Sequence, residues 1–318
     1  MKLTFTCDLH GRVPLYEEAF AYALAQDAQC IVIGGDLLPT RLKNPYKLIT
    51  GGFDFTDALR AQYAFIDSFL APFLTNFNRD QPGIRVLYVP GNHDWSAAIE
   101  HLKKAAPTAE CIHLQRRTIE DIVFAGYGCV TDSSFWVKDF VRRDTDADSF
   151  ISSKYPLVST NEGIRTSPEG GYAILKPSIE EELRSLFPSG SSKTILVFHC
   201  PPYGTGLDTL YTGKPIGSLS IAHYIRSTKP LASLHGHIHE APYMSGFFHT
   251  MIGPSLAINP GHHPKRLHAV SFDTDDPERS LTHRIFGREP VDRAEFDRAK
   301  DRFARAVKGF FMKNVLME

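Results

Sequence analysis

The first two thirds of the chain alternate short apolar runs with polar loops and with segments of helical periodicity. The apolar runs predict strands, which are Lys2–Cys7, Cys30–Ile33, Arg85–Val89, Ile122–Tyr127 and Thr194–Phe198. Apolar residues at helical spacing predict helices, which are Leu15–Ala25, Asp57–Phe77 and Ser96–Ala106. Ser96 is a candidate N-cap of the third helix, because a serine hydroxyl can accept a bond from a free amide of the first turn. The continuous apolar run Cys30–Ile33 is typical of a strand that is covered on both faces.

The last third has a different pattern, in which short apolar runs follow one another with turns between them. These runs predict antiparallel strands at Phe247–Ile252, Leu256–Asn259, His268–Asp273 and Leu281–Phe286. Both patterns together predict an α/β (α+β) fold, a four-layer α-β-β-α sandwich in which two mixed β-sheets are flanked by helices. In such a fold we expect the chemistry at the strand ends.

Two segments stand apart from this pattern. Thr131–Gly171 has no clear periodicity and is rich in Asp, Ser, Thr and Gly, but it also contains several aromatic residues. Long irregular segments of this kind are usually functional lids or disordered, so we predict a cap or flexible arm near the site that helps to choose the substrate. Asp292–Lys308 has apolar side chains on one helical face and charged side chains on the other. We therefore predict one domain over residues 1–288, and a C-terminal amphipathic helix within residues 289–318 that packs on it or on a second subunit of a homodimer.

The composition narrows the function classes. With 42% hydrophobic and 22% charged residues and a formal net charge of −1, the chain has no general attraction for nucleic acid or for an anionic membrane, so we expect neither as a partner. Five cysteines without CxxC spacing argue against a disulfide framework and fit a reducing compartment. The chain shows neither a signal-peptide pattern nor an apolar stretch long enough to cross a membrane, so we expect a cytoplasmic protein.

Five motifs, each at the end of a predicted strand, supply groups that bind metal ions. They are Asp8-x-His10, Gly35-Asp36, Gly91-Asn92-His93-Asp94, His199 and Gly236-His237-Ile238-His239. Carboxylate, imidazole and amide ligands suit divalent or trivalent transition metals such as Mn, Fe, Zn or Ni. Asp8 and His10 lie two residues apart, and side chains at this spacing on a strand point to the same side. The glycines allow the backbone to turn sharply or to approach the ions closely.

In series, the five motifs resemble those of the calcineurin-like metallophosphoesterases, over residues 1–261. Each motif alone occurs often by chance, but all five in this order form a specific pattern. The resemblance implies two metal ions. The ligands of the first ion would be Asp8, His10, Asp36 and His239. The ligands of the second ion would be Asp36, Asn92, His199 and His237.

The resemblance also implies a mechanism. The protein would be a metal-dependent phosphoesterase, in which a hydroxide that bridges the two ions attacks the phosphorus. His93 would protonate the leaving-group oxygen, and Asp94 would orient His93.

The chain departs from two branches of this family. Asp36 is followed by Leu37-Leu38-Pro39, where Ser/Thr protein phosphatases usually have Asp-Arg-Gly and where purple acid phosphatases have a tyrosine in the third place. The chain instead resembles a branch of the family that hydrolyses small phosphodiesters, in the segments His199–Thr205 and Asn259-Pro260-Gly261. Some members of that branch act on cyclic nucleotides. The expected substrate is a small phosphodiester or a nucleotide.

Other interpretations remain open at this point. The chain could be a metal-bearing scaffold or binding protein with negligible turnover, or a nuclease, although a nuclease would need a basic groove and stacking aromatic residues. Tyr203 is a candidate for the pocket wall, and His262 is a candidate substrate contact or a plain surface-loop residue. His235 is expected to be a strand-end residue that at most supports the ligands. Cys7 and Cys200 flank ligands and are expected to be buried small hydrophobes.

Overall fold

The computed structural model describes residues 1–40, 55–133, 135, 137–148, 156–167, 175–186 and 193–291, and the single residues 294, 298 and 301. The predicted helix Asp292–Lys308 therefore lies almost wholly outside the described residues, as does about a third of the segment Thr131–Gly171.

The described strands form two mixed sheets and two small two-stranded ladders. In chain order they are β1 (Lys2–Thr6), β2 (Cys30–Ile33), β3 (Arg85–Tyr88), β4 (Glu110–Cys111), β5 (Gln115–Ile119), β6 (Ile122–Tyr127), β7 (Val130–Thr131), β8 (Val141–Arg142), β9 (Leu157–Thr160), β10 (Gly163–Thr166), β11 (Thr194–Phe198), β12 (Ala232–Leu234), β13 (His249–Ile252), β14 (Ser255–Ile258), β15 (Ala269–Asp273) and β16 (Thr282–His283). The first sheet has the order β16-β15-β1-β2-β3-β4, and the second has the order β13-β14-β12-β11-β6-β5. The ladders are β7-β8 and β9-β10.

The described helices surround these sheets. They are α1 (Val13–Ala25), α2 (Phe55–Phe65), a π-helical turn (Ile66–Leu70), α3 (Ala71–Asp80), α4 (Ser96–Ala105), α5 (Ile179–Leu186), α6 (Leu219–Thr228), α7 (Ala241–Ser245) and α8 (Pro277–Ser280). This arrangement confirms the predicted sandwich of two mixed sheets flanked by helices.

The two sheets face each other across an apolar layer. Alternate residues of β1, such as Leu3 and Phe5, are buried together with Val197 of β11 and Leu234 of β12. In β2, Cys30 and Val32 belong to this same layer, whereas Ile31 between them packs on the opposite face with the residues of the helices. The central strands are thus covered on both faces, which explains their continuous apolar sequences.

Parallel pairing places the loops that follow the central strands at one edge of each sheet. β1, β2 and β3 run parallel in the first sheet, and β6, β11, β12 and β14 run parallel in the second. All five motifs follow strands of this kind, so the topology gathers them at the same end of the sandwich.

The late strands divide between the two sheets, contrary to a simple antiparallel succession. β13 and β14 pair antiparallel, as predicted, but β14 also pairs in parallel with β12 of the second sheet. β15 crosses to the first sheet, where it pairs antiparallel with β1 and with β16. β15 and β16 therefore form one edge of the sheet that contains β1.

The helix predicted over Asp57–Phe77 is interrupted. It consists of α2, the π-helical turn and α3. Pro72 lies in the first turn of α3, and a proline in a continuous helix would remove one backbone bond and clash with the preceding turn. The π-helical turn lies just before this proline. In such a turn the backbone bonds join residues five apart instead of four, so the helix continues with one extra residue in the turn.

Ser96 is not the N-cap of α4, contrary to the sequence-based prediction. The cap residue is Trp95, which makes no side-chain cap bond, and Ser96 is the first helical residue. The Ser96 amide donates to Asp139 Oδ2 at 2.8 Å, so a carboxylate from the segment predicted as a cap satisfies this helix end. A second residue of that segment, Asp144, accepts bonds from Ser218 Oγ at 2.5 Å and from the Leu219 amide at 2.7 Å at the start of α6.

Candidate metal centre

The loops after β1 and β2 are bonded to each other by their backbones. The Asp8 amide donates to Gly35 O at 2.9 Å, and the His10 amide donates to Asp36 O at 2.8 Å. The second sheet joins them through His199, whose Nδ1 lies 2.7 Å from Gly34 O. Residues from both sheets thus meet in one buried region.

The ligand candidates do not continue their strands. Asp8, His10, Asp36 and His237 have positive φ angles of 57°, 47°, 52° and 68°. Such left-handed conformations are uncommon for residues other than glycine, and they cluster at functional sites where the surrounding structure enforces them. Asp8 and His10 face one centre, as predicted, but through two residues in the left-handed conformation and not through the alternation of a strand.

Four side chains form a compact group around one point. Asp8, His10, Asp36 and His239 each offer a ligand atom, and these atoms all lie within 4.8 Å of one another. His239 Nε2 is 3.3 Å from Asp8 Oδ1, and His10 Nε2 is 3.2 Å from His239 Nε2. This is the set that the resemblance implies for the first ion.

The second predicted set lies beside the first and shares Asp36. His199 Nε2 is 3.6 Å from Asp36 Oδ1, and the His199 ring centroid is 5.3 Å from that of His237. The His237 amide donates to both Asp8 oxygens at 3.2 Å. Asn92 Oδ1 and His199 Nε2 are buried and have no hydrogen-bond partner among the described residues.

Two glycines bring the backbone against these ligands. Gly35 has a φ of +107°, and a Cβ atom there would overlap the His199 ring. A Cβ atom on Gly91 would overlap both the Asp36 carboxylate and His199 Nε2. Any larger residue would displace a predicted ligand, which is the physical reason for glycine in both motifs.

The carboxylates of the centre are held in the ionised form. Burial raises the pKa of Asp8 and of Asp36, but the neighbouring histidines lower both pKa values to below the usual range. Burial lowers the pKa of His199, but Asp36 and Asp8 raise it to about 9. Burial and the neighbouring His199 lower the pKa of His237 to about 3. Two buried carboxylates thus lie next to imidazole nitrogens in one pocket.

These residues fit a transition-metal centre. The donors are carboxylate oxygens, an amide oxygen and imidazole nitrogens, which are common ligands of Mn, Fe, Zn and Ni. His199 resembles a metal ligand in detail, because its Nδ1 donates to the Gly34 carbonyl while its Nε2 has no hydrogen-bond partner among the described residues. Asn92 Oδ1 also fits, because it is buried and has no hydrogen-bond partner among the described residues, whereas a buried acceptor usually has one.

His93 lies at the edge of this centre. Its ring centroid is 5.2 Å from that of His10, and its amide donates to Asp36 Oδ1 at 2.8 Å. Its Nδ1 lies 2.8 Å from Thr40 Oγ1, and burial lowers its pKa. The Phe135 ring lies 4.5 Å away, at an angle of 37° between the ring planes.

Asp94 holds backbone rather than the His93 ring. Its Oδ2 accepts from the Leu37 amide at 3.0 Å and the Gly91 amide at 2.9 Å, and its Oδ1 accepts from the Leu38 amide at 2.7 Å. The expected contact that orients His93 is therefore replaced by bonds that join the loops after β2 and β3. Burial and the nearby Asp36 raise the pKa of Asp94 to about 7.

The remaining candidates differ in how close they lie to the centre. His262 is close, since its ring centroid is 4.7 Å from that of His239 and 5.4 Å from that of His10. Tyr203 is 40% exposed and its amide bonds to Ser218 O, so its place in the pocket wall stays a prediction. His235 is buried, and its Nδ1 lies 2.9 Å from Phe198 O and 3.0 Å from Cys200 O, the carbonyls on either side of His199.

Two of the cysteines lie next to ligand candidates in the chain, and the Cys7 thiol donates to His235 O at 3.7 Å. Cys7 and Cys200 are buried, and burial raises the pKa of both thiols, that of Cys200 to about 12. They behave as small apolar side chains, as predicted.

Three residues near His93 were not among the candidates from the sequence. Thr40, Gln62 and Phe135 come from a loop, a helix and the irregular segment, and none belongs to a motif. The only local signal was the presence of aromatic residues in Thr131–Gly171.

Within the described residues, no helix combines the length and the low polarity that a membrane crossing requires.

The chain is similar to known proteins both in structure and in sequence. The chain is similar to the crystal structure of TT1561 of Thermus thermophilus, with a TM-score of 0.53 and 19% identity over 89% of this chain and 97% of the other. Another solved structure has a TM-score of 0.57 and 14% identity, over 92% of this chain and 99% of its own. At these identities the likeness shows the fold alone. A search of curated proteins found no match. The sequence model described as calcineurin-like phosphoesterase matches residues 1–241.

Proposed function

This chain belongs to the calcineurin-like phosphoesterase family, so it is a metal-dependent hydrolase of phosphoric esters, and we propose that it hydrolyses small phosphodiesters or nucleotides at a centre of two metal ions. The observation that carries the proposal is the pair of ligand sets that share Asp36. One set has all its ligand atoms within 4.8 Å of one another, and the other contains Asn92 Oδ1 and His199 Nε2, two buried atoms that have no hydrogen-bond partner among the described residues.

Each residue would have a defined part. Asp8, His10, Asp36 and His239 would hold one ion, and Asp36, Asn92, His199 and His237 would hold the other. When bound, such ions polarise phosphoryl oxygens and supply hydroxide at neutral pH. The carboxylates would offset the charge of the two cations, and the Asp36 carboxylate would do so for both.

The chain itself would supply the proton. The leaving oxygen of a phosphodiester departs poorly unless it is protonated. His93 is free to donate this proton, because neither predicted ligand set includes it. Burial of His93 beside Phe135 keeps bulk water from one side of its ring. The proton would pass from a His93 ring nitrogen to the leaving-group oxygen, and water would restore it after the product leaves.

His262 is proposed as a contact of the substrate. Its ring lies next to His10 and His239 but its nitrogens are outside the compact ligand group, so it borders the centre without completing it. The segment Thr131–Gly171 is proposed to help choose the substrate, since Phe135 reaches His93. The five cysteines are free thiols, which fits the proposed cytoplasmic location.

The experiment that tests this function compares a diester with a monoester. Purified protein loaded with Mn should hydrolyse bis-p-nitrophenyl phosphate faster than p-nitrophenyl phosphate, and the Asp36→Asn protein, prepared in parallel, should control for contaminating phosphatases. Metal content measured on the same samples separates two failures. Full loading without turnover would indicate a scaffold, whereas no loading would contradict the metal centre.

A panel of cyclic and linear nucleotides, followed by single- and double-stranded oligonucleotides, should then identify the natural substrate class. Cleavage of oligonucleotides in preference to every small diester would indicate a nuclease and contradict the proposal.

A further inference from the structure

The Thr40 hydroxyl is the hydrogen-bond partner of the His93 ring, with 2.8 Å between Oγ1 and Nδ1. Thr40 belongs to the loop after β2, and His93 belongs to the loop after β3. We propose that Thr40 is a positioning residue that fixes which nitrogen of His93 donates a proton to the leaving group. This inference rests on the proposed function, in which His93 is the general acid.

The carboxylates near His93 are engaged elsewhere. Both oxygens of Asp94 accept bonds from backbone amides. Asp36 Oδ1 accepts from the backbone amide of His93 and lies 3.6 Å from His199. A carboxylate would ordinarily hold a catalytic imidazole in one tautomer, and here a neutral hydroxyl stands in that place.

The other contacts of the ring cannot choose between its two edges. Phe135 packs against His93 at 37° between ring planes, and His10 approaches at 82°. Such contacts restrict the plane of the ring, but a half-turn about the bond between Cβ and Cγ exchanges a nitrogen for a carbon with almost the same shape. Among the described residues, only the bond to Thr40 distinguishes the two edges, and with Nδ1 engaged, Nε2 is the nitrogen left for the substrate.

The contact between Thr40 and His93 is built into the fold by Gln62. This buried residue of α2 donates from Nε2 to His93 O at 2.7 Å and to Pro39 O at 3.4 Å. Its Oε1 accepts from the Trp95 amide at 3.2 Å. One side chain therefore ties the residue before Thr40 to both His93 and Trp95, which keeps the two loops in register.

The proposed step moves one proton. The Nε2–H bond of His93 breaks, its electron pair stays on the nitrogen, and the proton bonds to the leaving oxygen as that oxygen separates from phosphorus. His93 enters this step as the cation with both ring nitrogens protonated and leaves it neutral, while the electron pair of the broken bond to phosphorus stays on the leaving oxygen. The Nδ1–H bond is kept and donates to Thr40 Oγ1.

Two variants of Thr40 test this role. Thr40→Val keeps the shape and removes the hydroxyl, whereas Thr40→Ser keeps the hydroxyl. Both should be assayed on methyl phenyl phosphate and on methyl p-nitrophenyl phosphate, which differ only in the basicity of the leaving group. We expect Thr40→Val to lower kcat for the phenyl ester by about 10- to 100-fold, the effect of one hydrogen bond to a charged group. The loss should be smaller for the p-nitrophenyl ester, and Thr40→Ser should recover most of the rate.

A double-variant cycle shows whether Thr40 acts through His93. In a His93→Ala background, Thr40→Val should cause no further loss, and metal content and melting temperature should stay at the values of the parent protein. A full rate for Thr40→Val on the phenyl ester, or an undiminished loss in the His93→Ala background, would overturn the role of Thr40 alone. An unchanged rate for His93→Ala itself would overturn the general acid, and the positioning role with it.

Discussion

Asp36 lies between the two halves of the centre. Its Oδ2 is 3.8 Å from His10 Nε2, and its Oδ1 is 3.6 Å from His199 Nε2. It is buried and accepts a further bond from the His93 amide. A residue with this position would touch both ions, so its charge should matter more than that of any other ligand.

Asp36→Asn should be the most damaging single change of a ligand. It removes a donor from each proposed ion and the charge that offsets two close cations. We expect kcat/KM to fall by more than about 100-fold, because even outer partners of metal ligands contribute about 10- to 100-fold. Activity and metal content should be measured together, with the exposed Asp27→Asn as the matched control. A normal rate with two ions bound would refute the bridging role.

His93→Ala should lower the rate without removing metal. General acid catalysis contributes about 10²- to 10⁴-fold, so a loss of this size is expected on esters with alkyl, ribose or phenyl leaving groups. The loss should shrink for p-nitrophenyl esters, whose leaving group needs little protonation. The surface variant His101→Ala provides the control. An equal loss on all esters would assign His93 to substrate placement, and a lost ion would show that the ligand set around Asn92 is wrong.

At the scale of elements, the segment predicted as a cap is bonded into the domain. Asp139 accepts bonds from the amides of Ser96 and Ser159 at 2.8 and 3.0 Å, and from the Ser159 hydroxyl. Asp144 does the same for the start of α6. Deletion of the whole segment would therefore uncap two helices, so point variants are the better test of its function.

Asp139→Ala should destabilise the protein far more than Ser96→Ala. The first change leaves the half-buried donors of Ser96 and Ser159 without this acceptor, which should lower the free energy of unfolding by about 2–4 kcal/mol. The second removes a hydroxyl that does not cap the helix, and should cost less than about 0.5 kcal/mol. Urea denaturation monitored by circular dichroism measures both. Similar losses for the two variants would restore Ser96 as the cap.

Phe135→Ala should change the choice of substrate while the metal centre stays intact. Phe135 packs on His93 with 4.5 Å between ring centroids, so a leaving group that reaches His93 would contact its side chain. Loss of an aromatic contact is worth about 2- to 10-fold in kcat/KM, and the loss should be greater for aryl than for alkyl diesters. Phe135→Leu should keep part of the preference. Proportional losses across the substrate panel would argue against a role in specificity.

At the scale of the molecule, the proposed ions would connect the two sheets. Asp8, Asp36 and Asn92 follow strands of the first sheet, whereas His199 and His237 follow strands of the second. Bound cations would also compensate the two buried carboxylates. Metal should therefore stabilise the whole domain and not the site alone.

Removal of metal with a chelator should lower the melting temperature by about 5 °C or more, since a ligand at 100 times its dissociation constant adds about 2.7 kcal/mol. Scanning calorimetry before and after chelation, and after addition of Mn, measures the effect. The Asp36→Asn protein should show a smaller response to Mn. Equal melting temperatures with and without bound metal would contradict the link between the sheets.

The sequence by itself determined the sandwich and the identity of the ligand candidates. Buried strands such as Cys30–Ile33 are continuous apolar runs because both of their faces are covered, and this signal is local. The metal-binding residue types follow those strands in a specific order, which needs no knowledge of distances. Local patterns were sufficient because each depends on residues that are close in the chain.

Only the tertiary structure decided how these residues meet. The left-handed turns at Asp8 and Asp36 are imposed by bonds between loops of different strands, and no local pattern encodes them. The same holds for Asp94, whose carboxylate is used by distant backbone amides. Thr40 reaches His93 because a buried Gln62 aligns their two loops. Partners this far apart in sequence are chosen by packing and by the need to satisfy buried polar groups, which the order of residues alone does not show.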